Sequence, residues 1–324
     1  MLPIKIIEIK SELGCAQLGA SMGADAIKMA AHKSGSHFFA EHEIITLPHR
    51  NHLLAKQNPS PGYEKAKWLR YILENCQTAC NTVADVLEDG HFPIVLSADH
   101  SSAAGVIAGV KQAYPKQRIG VIWIDAHSDA HSPYTTHSGN MHGMPIGASL
   151  GLDTEARDFL QQIPNKLSEN AQKQWQHLKE LGGISPKLLP EDLVFIGVRY
   201  FKPEHKALID NFNIKLYSVD EVRQNNIQII IEAVRKQLYR CDKIYLSFDV
   251  DALDCDAVSG GTGTPEPNGL FLEEVIELIE GFSKSSKLCC LEISEVSPVL
   301  DHKGNAMAEA AWKVLEHTIV SKSQ

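Results

Sequence analysis

The sequence predicts an α/β chain with a three-layer αβα sandwich architecture, in which helices cover both faces of a mostly parallel central sheet. Three observations lead there. Short runs rich in β-branched residues recur along the chain, longer stretches of helical periodicity separate them, and no linker or internal repeat interrupts the alternation. Strand then helix, repeated, is the pattern of a parallel sheet buried on both sides.

The first strand is read at Ile4–Ile9 (IKIIEI) and the first helix over 22–32. A long helical pattern over 62–88 leads into a strand at 93–96 (PIVL), and a helix over 102–114 leads into Ile119–Ile124 (IGVIWI). The polar stretch 153–187 has no counterpart in this rhythm and reads as an inserted helical excursion. Beyond it the alternation resumes: strands at 193–198, 214–217, 243–250 and 287–293, and helices at 203–212, 220–238, 271–282 and 305–320. With no Pro/Ser-rich break along it, the chain is expected to form one domain over 1–324.

Composition narrows the function. Hydrophobic residues at 44% and charged residues at 22% are the balance of an ordinary folded protein and argue against disorder. A formal charge of -9 without a Lys/Arg-rich run lacks the electrostatic footprint of a nucleic-acid binder. The seven cysteines are odd in number and contain no C-x-x-C pair, so reduced thiols are expected rather than a disulfide framework or a zinc ribbon. The opening MLPIKIIEIKSELG has no basic head followed by a long apolar stretch, and no run approaches the roughly eighteen apolar residues of a membrane span. A cytoplasmic protein without a membrane partner is expected.

The chemistry collects after three of the strands. The run 119–124 enters Asp125-Ala126-His127-Ser128-Asp129, then His131 and a loop carrying Ser138, Asn140 and His142. The run 243–248 enters Asp249-Val250-Asp251, and 93–96 enters Ser97-Ala98-Asp99-His100. In an open α/β sheet, ligands gather at the carboxyl ends of strands, where loops converge. Any one of these runs reads equally well as an aspartate opening a turn or capping a helix. Three together place several carboxylates at one edge, where they repel unless a cation compensates them. Carboxylate and imidazole without thiolate favour Mn²⁺, and the Irving–Williams order leaves Co²⁺, Ni²⁺ and Zn²⁺ open. Asp99 reads as the cap of the helix that follows, leaving His100 as that strand's ligand.

These segments resemble the ureohydrolase superfamily, the arginase and agmatinase group of dinuclear manganese hydrolases. The family's GGDHS corresponds to Ser97-Ala98-Asp99-His100-Ser101, its DAHxD to Asp125 to Asp129, and its SxDxDxxDP to Ser247 to Asp254 with Cys255 in place of proline. Its GTGTP is Gly261 to Pro265, and its closing D-x-x-E-V-x-P is the segment Glu292 to Pro298. The resemblance implies two Mn²⁺ per subunit, one held by His100, Asp125, Asp129 and Asp249 and the other by His127, Asp125, Asp249 and Asp251. Asp125 and Asp249 would bridge. It further implies hydroxide attack on a guanidinium carbon, with Asp129 taking and passing on the proton, His142 shuttling protons to solvent and Glu295 pairing with the guanidinium. A homotrimer or homohexamer is also implied. The changes of the double glycine to Ser97-Ala98 and of proline to Cys255 are expected to touch only loop geometry.

For the substrate, Thr136, Ser138 and Asn140 lie in a stretch closer to the arginase TTxSGNxHG loop than to that of agmatinase, and can donate hydrogen bonds to a carboxylate. The resemblance therefore favours L-arginine, giving L-ornithine and urea. Two departures bear on this. His131 stands where arginases usually have an asparagine contacting the α-carboxylate. The segment Arg199 to Glu204 replaces one that supplies acids for the α-amino group, so that Lys202 is expected to repel an α-ammonium and Glu204 to compensate in part. Agmatine, a guanidino acid and formimidoylglutamate are the alternative substrates, and a related binding protein without turnover is the alternative of another class. The stretch with Gly14, Gly19 and Gly23 lacks the lysine and hydroxyl of a phosphate-binding loop and is read as a glycine loop at the site's rim.

Overall fold

The computed structural model describes residues 2–56 and 61–323. Eight strands form one sheet: β1 (Ile4–Ile9), β2 (Glu43–Thr46), β3 (Phe92–Ser97), β4 (Ile119–Ile124), β5 (Leu193–Ile196), β6 (Lys215–Tyr217), β7 (Lys243–Asp249) and β8 (Leu288–Ser294). Their spatial order is β2-β1-β3-β8-β7-β4-β5-β6 and every neighbouring pair is parallel. The helices are α1 (Gly23–Lys33), α2 (Phe38–Glu41), α3 (Leu69–Glu88), α4 (Ala103–Ala113), α5 (Pro145–Leu150), α6 (Glu155–Phe159), α7 (Glu169–Lys179), α8 (Pro203–Asn211), α9 (Val219–Gln224), α10 (Ile227–Gln237), α11 (Leu272–Ser283) and α12 (Ala306–Ser323).

Alternation along each strand sends side chains to two cores. From β4, Ile122 and Ile124 join residues of α1, α10, α11 and α12, while Val121 and Trp123 join residues of α3, α4 and α8. Both strand faces are therefore dry, which is why the strands read as unbroken apolar runs. All seven cysteines are free, and among the described residues no helix is long and apolar enough to cross a membrane.

Four expectations are corrected. The half-polar edge strand β2 (EIIT) had no counterpart in the reading. The helix expected from 62 starts only at Leu69, because Trp68 takes a left-handed φ of 60° and the preceding residues form turns, with the Lys67 amide bonded to the Gly139 carbonyl at 2.9 Å. The helix expected over 220–238 breaks in two at Asn225, since Asn226 caps α10 by accepting from the Gln228 amide at 2.8 Å. The strand expected to reach 198 stops at Ile196, where Gly197 turns the chain at a φ of 87°. The insertion holds α6 and α7. Its Trp175, Leu178 and Leu181 share a satellite core with Leu69, Ile72, Cys76 and Cys80 of α3.

Candidate active site

The four central strands of the sheet, β3, β8, β7 and β4, all deliver polar residues from their carboxyl ends to one place. Short side chain to backbone bonds turn the chain there. Asp125 accepts from the His127 amide at 2.6 Å and Asp249 from the Asp251 amide at 2.9 Å, so each first aspartate bends the backbone that presents the second ligand-type residue. Asp99 is a cap, as expected: one oxygen accepts from the Ser101 amide at 2.8 Å and the other from the Gly14 amide at 2.9 Å. A side chain at Gly14 would lie 2.7 Å from Asp99, so only glycine lets the rim loop approach this closely.

His100 Nδ1 lies 3.1 Å from Asp125 Oδ2, 3.2 Å from Asp129 Oδ2 and 3.0 Å from Asp249 Oδ2. His127 Nδ1 lies 3.0 Å from Asp251 Oδ2 and 3.5 Å from Asp125 Oδ1. Two groups of metal-ligand type result, His100 with Asp125 and Asp129, and Asp125 with His127 and Asp251. Asp125 faces both groups with different oxygens. Asp249 stands with the His100 group through Oδ2 while its Oδ1 is engaged by the Asp251 amide.

These residues fit a pair of cations. His100 Nδ1 and Asp125 Oδ2 are buried with no hydrogen-bond partner among the described residues, as lone pairs directed at a metal would be. Burial, then Asp251 and Asp125 beside it, pushes the Asp249 carboxyl well above its ordinary range. Burial and Asp125 likewise raise Asp129 to about 6. Burial opposes charge on His100, yet the surrounding carboxylates of Asp125, Asp129 and Asp249 hold its pKa well above the ordinary imidazole value. The protein alone thus crowds negative charge that divalent cations would balance.

Behind His100 runs a buried chain of hydroxyls. His100 Nε2 is 2.7 Å from Ser247 Oγ, Tyr245 lies two residues earlier on the same strand, and its hydroxyl donates to Glu292, which also accepts from Ser97. Trp123 stacks on the imidazole, ring centroids 4.0 Å apart and planes 10° from parallel. Ser97 therefore does more than shape a loop. It is one of the two hydroxyls that satisfy a fully buried carboxylate.

On the rim side, Glu295 Oε1 is 3.2 Å from His142 Nδ1 and accepts from the His100 amide at 2.9 Å, while Oε2 is buried with no partner among the described residues. Burial opposes charge on His142, but Glu295 outweighs it and raises the imidazole to about 9. Asp129 and Glu295 both hold left-handed backbones, at φ of 46° and 66°. A non-glycine residue there costs on the order of 1–2 kcal/mol, and such strain clusters at functional sites.

A cavity of about 370 Å³ opens over these groups. His127, Asp129, Asp249, Asp251 and His142 line it, as do the expected substrate contacts His131, Thr136, Ser138 and Asn140. Glu295 lies beneath the wall rather than on it. Glu204 is not on the wall either: it is 2% exposed, 2.7 Å from Arg157 Nη1 and 3.0 Å from His137 Nε2. Arg157 comes from the insertion, and Asn165 of the same insertion donates to the carbonyls of Pro133 and Thr136 at 2.9 and 2.7 Å. The excursion thus clasps the loop that carries the substrate contacts.

Several wall residues went unnoticed in the sequence. Thr264, inside the quoted GTGTP motif, donates to Asp251 Oδ2 at 3.0 Å. Gln17, Tyr200, His205 and Glu266 also line the cavity. Burial, followed by the charge of His127, lowers His205 to about 4. No spacing pattern marks it, since it sits in the first turn of α8, where a histidine is unremarkable.

Comparison with known proteins agrees with this geometry. The family model described as Arginase family matches residues 3–320. The arginase of Bacillus caldovelox is 32% identical over 314 residues, covering 96% of each chain, and that of Bacillus subtilis is 30% identical over 321 residues, covering 98% of each. The solved structure of the B. caldovelox arginase superposes with a TM-score of 0.82, covering 98% of both chains. An all-parallel sheet with its acids at the central strand ends, matched by a family model over nearly its whole length, identifies this chain as a member of the arginase family, hydrolases of guanidino groups.

Proposed function

We propose that the chain hydrolyses an aliphatic guanidino substrate, L-arginine being the compound to which the family points, to yield an amine, here L-ornithine, and urea. The observation that carries this reading is the paired group of His100, Asp125, Asp129, Asp249, His127 and Asp251, of which Asp129, Asp249, His127 and Asp251 line one cavity while His100 and Asp125 are buried against them. Two divalent cations held there, Mn²⁺ by resemblance with Co²⁺ or Ni²⁺ as alternatives, would acidify a shared water and offset charge developing on the guanidinium carbon. Asp129, raised to about 6, is suited to hold the water's proton and hand it to the leaving nitrogen. His142 lines the cavity and is held by Glu295, which supports a part in exchanging that proton with solvent. Glu295 Oε2, unpartnered among the described residues and 3.5 Å from where a side chain on the wall residue Gly263 would begin, supports pairing with the guanidinium.

The test is product release with added Mn²⁺ from L-arginine, agmatine, 4-guanidinobutyrate, guanidine and formimidoylglutamate. Urea is followed for the first four, and ammonia and formamide for the last. Release from L-arginine is the expected result. No product from any of the five, with Mn²⁺, Co²⁺ or Ni²⁺ present, refutes the hydrolase. A cytoplasmic homotrimer or homohexamer is proposed on the family likeness, and light scattering of the purified protein checks the assembly.

A further inference from the structure

The far end of the cavity differs in charge from its floor. Lys202 lines it with no acid within ion-pair distance among the described residues. The neighbouring acid, Glu204, is turned away from the wall and bound to Arg157. His205, 4% exposed and on the wall, receives the Lys202 amide at Nδ1 at 3.5 Å, an arrangement that leaves the proton on Nε2, and among the described residues Nε2 has no hydrogen-bond partner. On the wall of the same cavity the Thr136 and Ser138 oxygens already accept from the amides of Gly139 and Asn140, at 3.1 and 3.2 Å, which leaves their hydroxyl hydrogens free to donate. Lys67 stands behind Asn140, its Nζ 2.9 Å from Oδ1.

Every one of these groups donates. A ligand end that meets a lysine, an imidazole N–H and two hydroxyls is best matched by an anion, and an ammonium there meets the like charge of Lys202 with no carboxylate beside it among the described residues to offset that repulsion. Outside the floor acids, Glu266 is the wall carboxylate, and it faces the floor, 3.9 Å from His127 Nε2.

We infer that the far end of the cavity is a carboxylate-binding subsite built from Lys202, His205, Thr136 and Ser138 that makes no provision for an α-ammonium, so that the preferred substrate is an ω-guanidino carboxylate without an amino group. The inference rests on the hydrolase reading above and concerns the other end of the same substrate. L-Arginine enters by its carboxylate, and its α-ammonium is a burden. The reaction is unchanged: water adds to the guanidinium carbon, the bond from that carbon to the alkyl nitrogen breaks, and that nitrogen leaves protonated as an ω-amino carboxylate beside urea.

Three compounds differing by one group each isolate the effect: L-arginine, 5-guanidinopentanoate, which lacks the α-amino group, and agmatine, which lacks the carboxylate. In the Mn²⁺-loaded protein, kcat/KM is expected to be about ten- to a hundredfold higher for 5-guanidinopentanoate than for L-arginine, mainly through KM, the penalty range of one badly matched polar group. Agmatine is expected to be the poorest of the three. Lys202→Asp is expected to move the preference at least tenfold toward L-arginine, and Lys202→Met to weaken 5-guanidinopentanoate without helping L-arginine. Equilibrium binding of the amine products, 5-aminopentanoate against L-ornithine, gives a second readout that needs no turnover and follows the same order. Failure of the hydrolase reading shows as no product from any compound, and the binding order then still decides the subsite. L-Arginine and L-ornithine equal to or better than their deamino counterparts in the wild type overturns the inference, and so does an unchanged preference in Lys202→Asp.

Discussion

Replacing Ser247 with alanine separates the metal site from the fold. His100 can present Nδ1 to a cation only if its proton stays on Nε2, and Ser247 Oγ, 2.7 Å from that nitrogen and fully buried, is the acceptor that keeps it there. Alanine removes the acceptor and leaves a buried N–H facing nothing, at a cost of about 1–3 kcal/mol. Partners of metal-binding imidazoles are worth about 10- to 100-fold in affinity. The two figures agree, since about 1.4 kcal/mol is one factor of ten. The expected outcome is a 10- to 100-fold weaker affinity at the cation position that His100 serves and a smaller change at the one His127 serves. The assay is metal content per chain by mass spectrometry after dialysis against graded chelator. Ser128→Ala is the control: Ser128 lies between two of the ligand-type residues, and its buried hydroxyl has no hydrogen-bond partner among the described residues. Wild-type metal retention at both positions in Ser247→Ala, or an equal loss in Ser128→Ala, refutes the orienting role.

Asp129→Asn is expected to lower kcat by orders of magnitude with the circular dichroism spectrum unchanged, and near wild-type turnover would remove Asp129 from the proton path. Arg157→Ala leaves the buried Glu204 carboxylate with His137 as its remaining contact, so chemical denaturation is expected to show a loss of up to about 3–5 kcal/mol, largely recovered when Glu204→Gln is added. Gly139→Ala sets a methyl group 2.0 Å from the Glu64 carbonyl at a φ of 79°, and the displaced loop is expected to raise KM for guanidino substrates more than it lowers kcat. Mn²⁺ at a hundred times its dissociation constant is expected to stabilise the metal-free chain by about 2.7 kcal/mol per site, visible as a rise in melting temperature. A melting temperature indifferent to Mn²⁺ would mean that these acids do not hold it.

The floor of the site was legible because its chemistry sits where apolar runs stop. After IGVIWI and KIYLSF the change to aspartate is abrupt, and strand ends of a parallel sheet converge whatever the loops do. The far end was legible only by residue type. Glu204 followed Lys202 closely enough in sequence to look like its counterweight, but the first turn of α8 separates the two, and Arg157, 47 positions earlier, claims the acid. No local pattern encodes a partner at that distance. The same holds for Ser97, whose meaning depends on Glu292 from β8, the strand beside its own. Among the elements, β2 was missed because two isoleucines between polar residues carry too little signal, and the α9–α10 break because a capping asparagine looks like any polar residue of an amphipathic surface.

The clasp formed by Arg157 and Asn165 gives the two ends of the cavity different mechanical character. The floor hangs from four neighbouring strands locked by ladders on both sides, and it can open only when the sheet itself opens. The loop with Thr136 and Ser138 is tied from outside the sheet by a handful of side-chain bonds from the insertion, so it belongs to a smaller cooperative unit with its own, lower opening energy. Amides of that loop are therefore set to exchange with solvent well before those of β4. Drift in the insertion can change which tails are admitted while the acids that carry the chemistry stay where the sheet holds them.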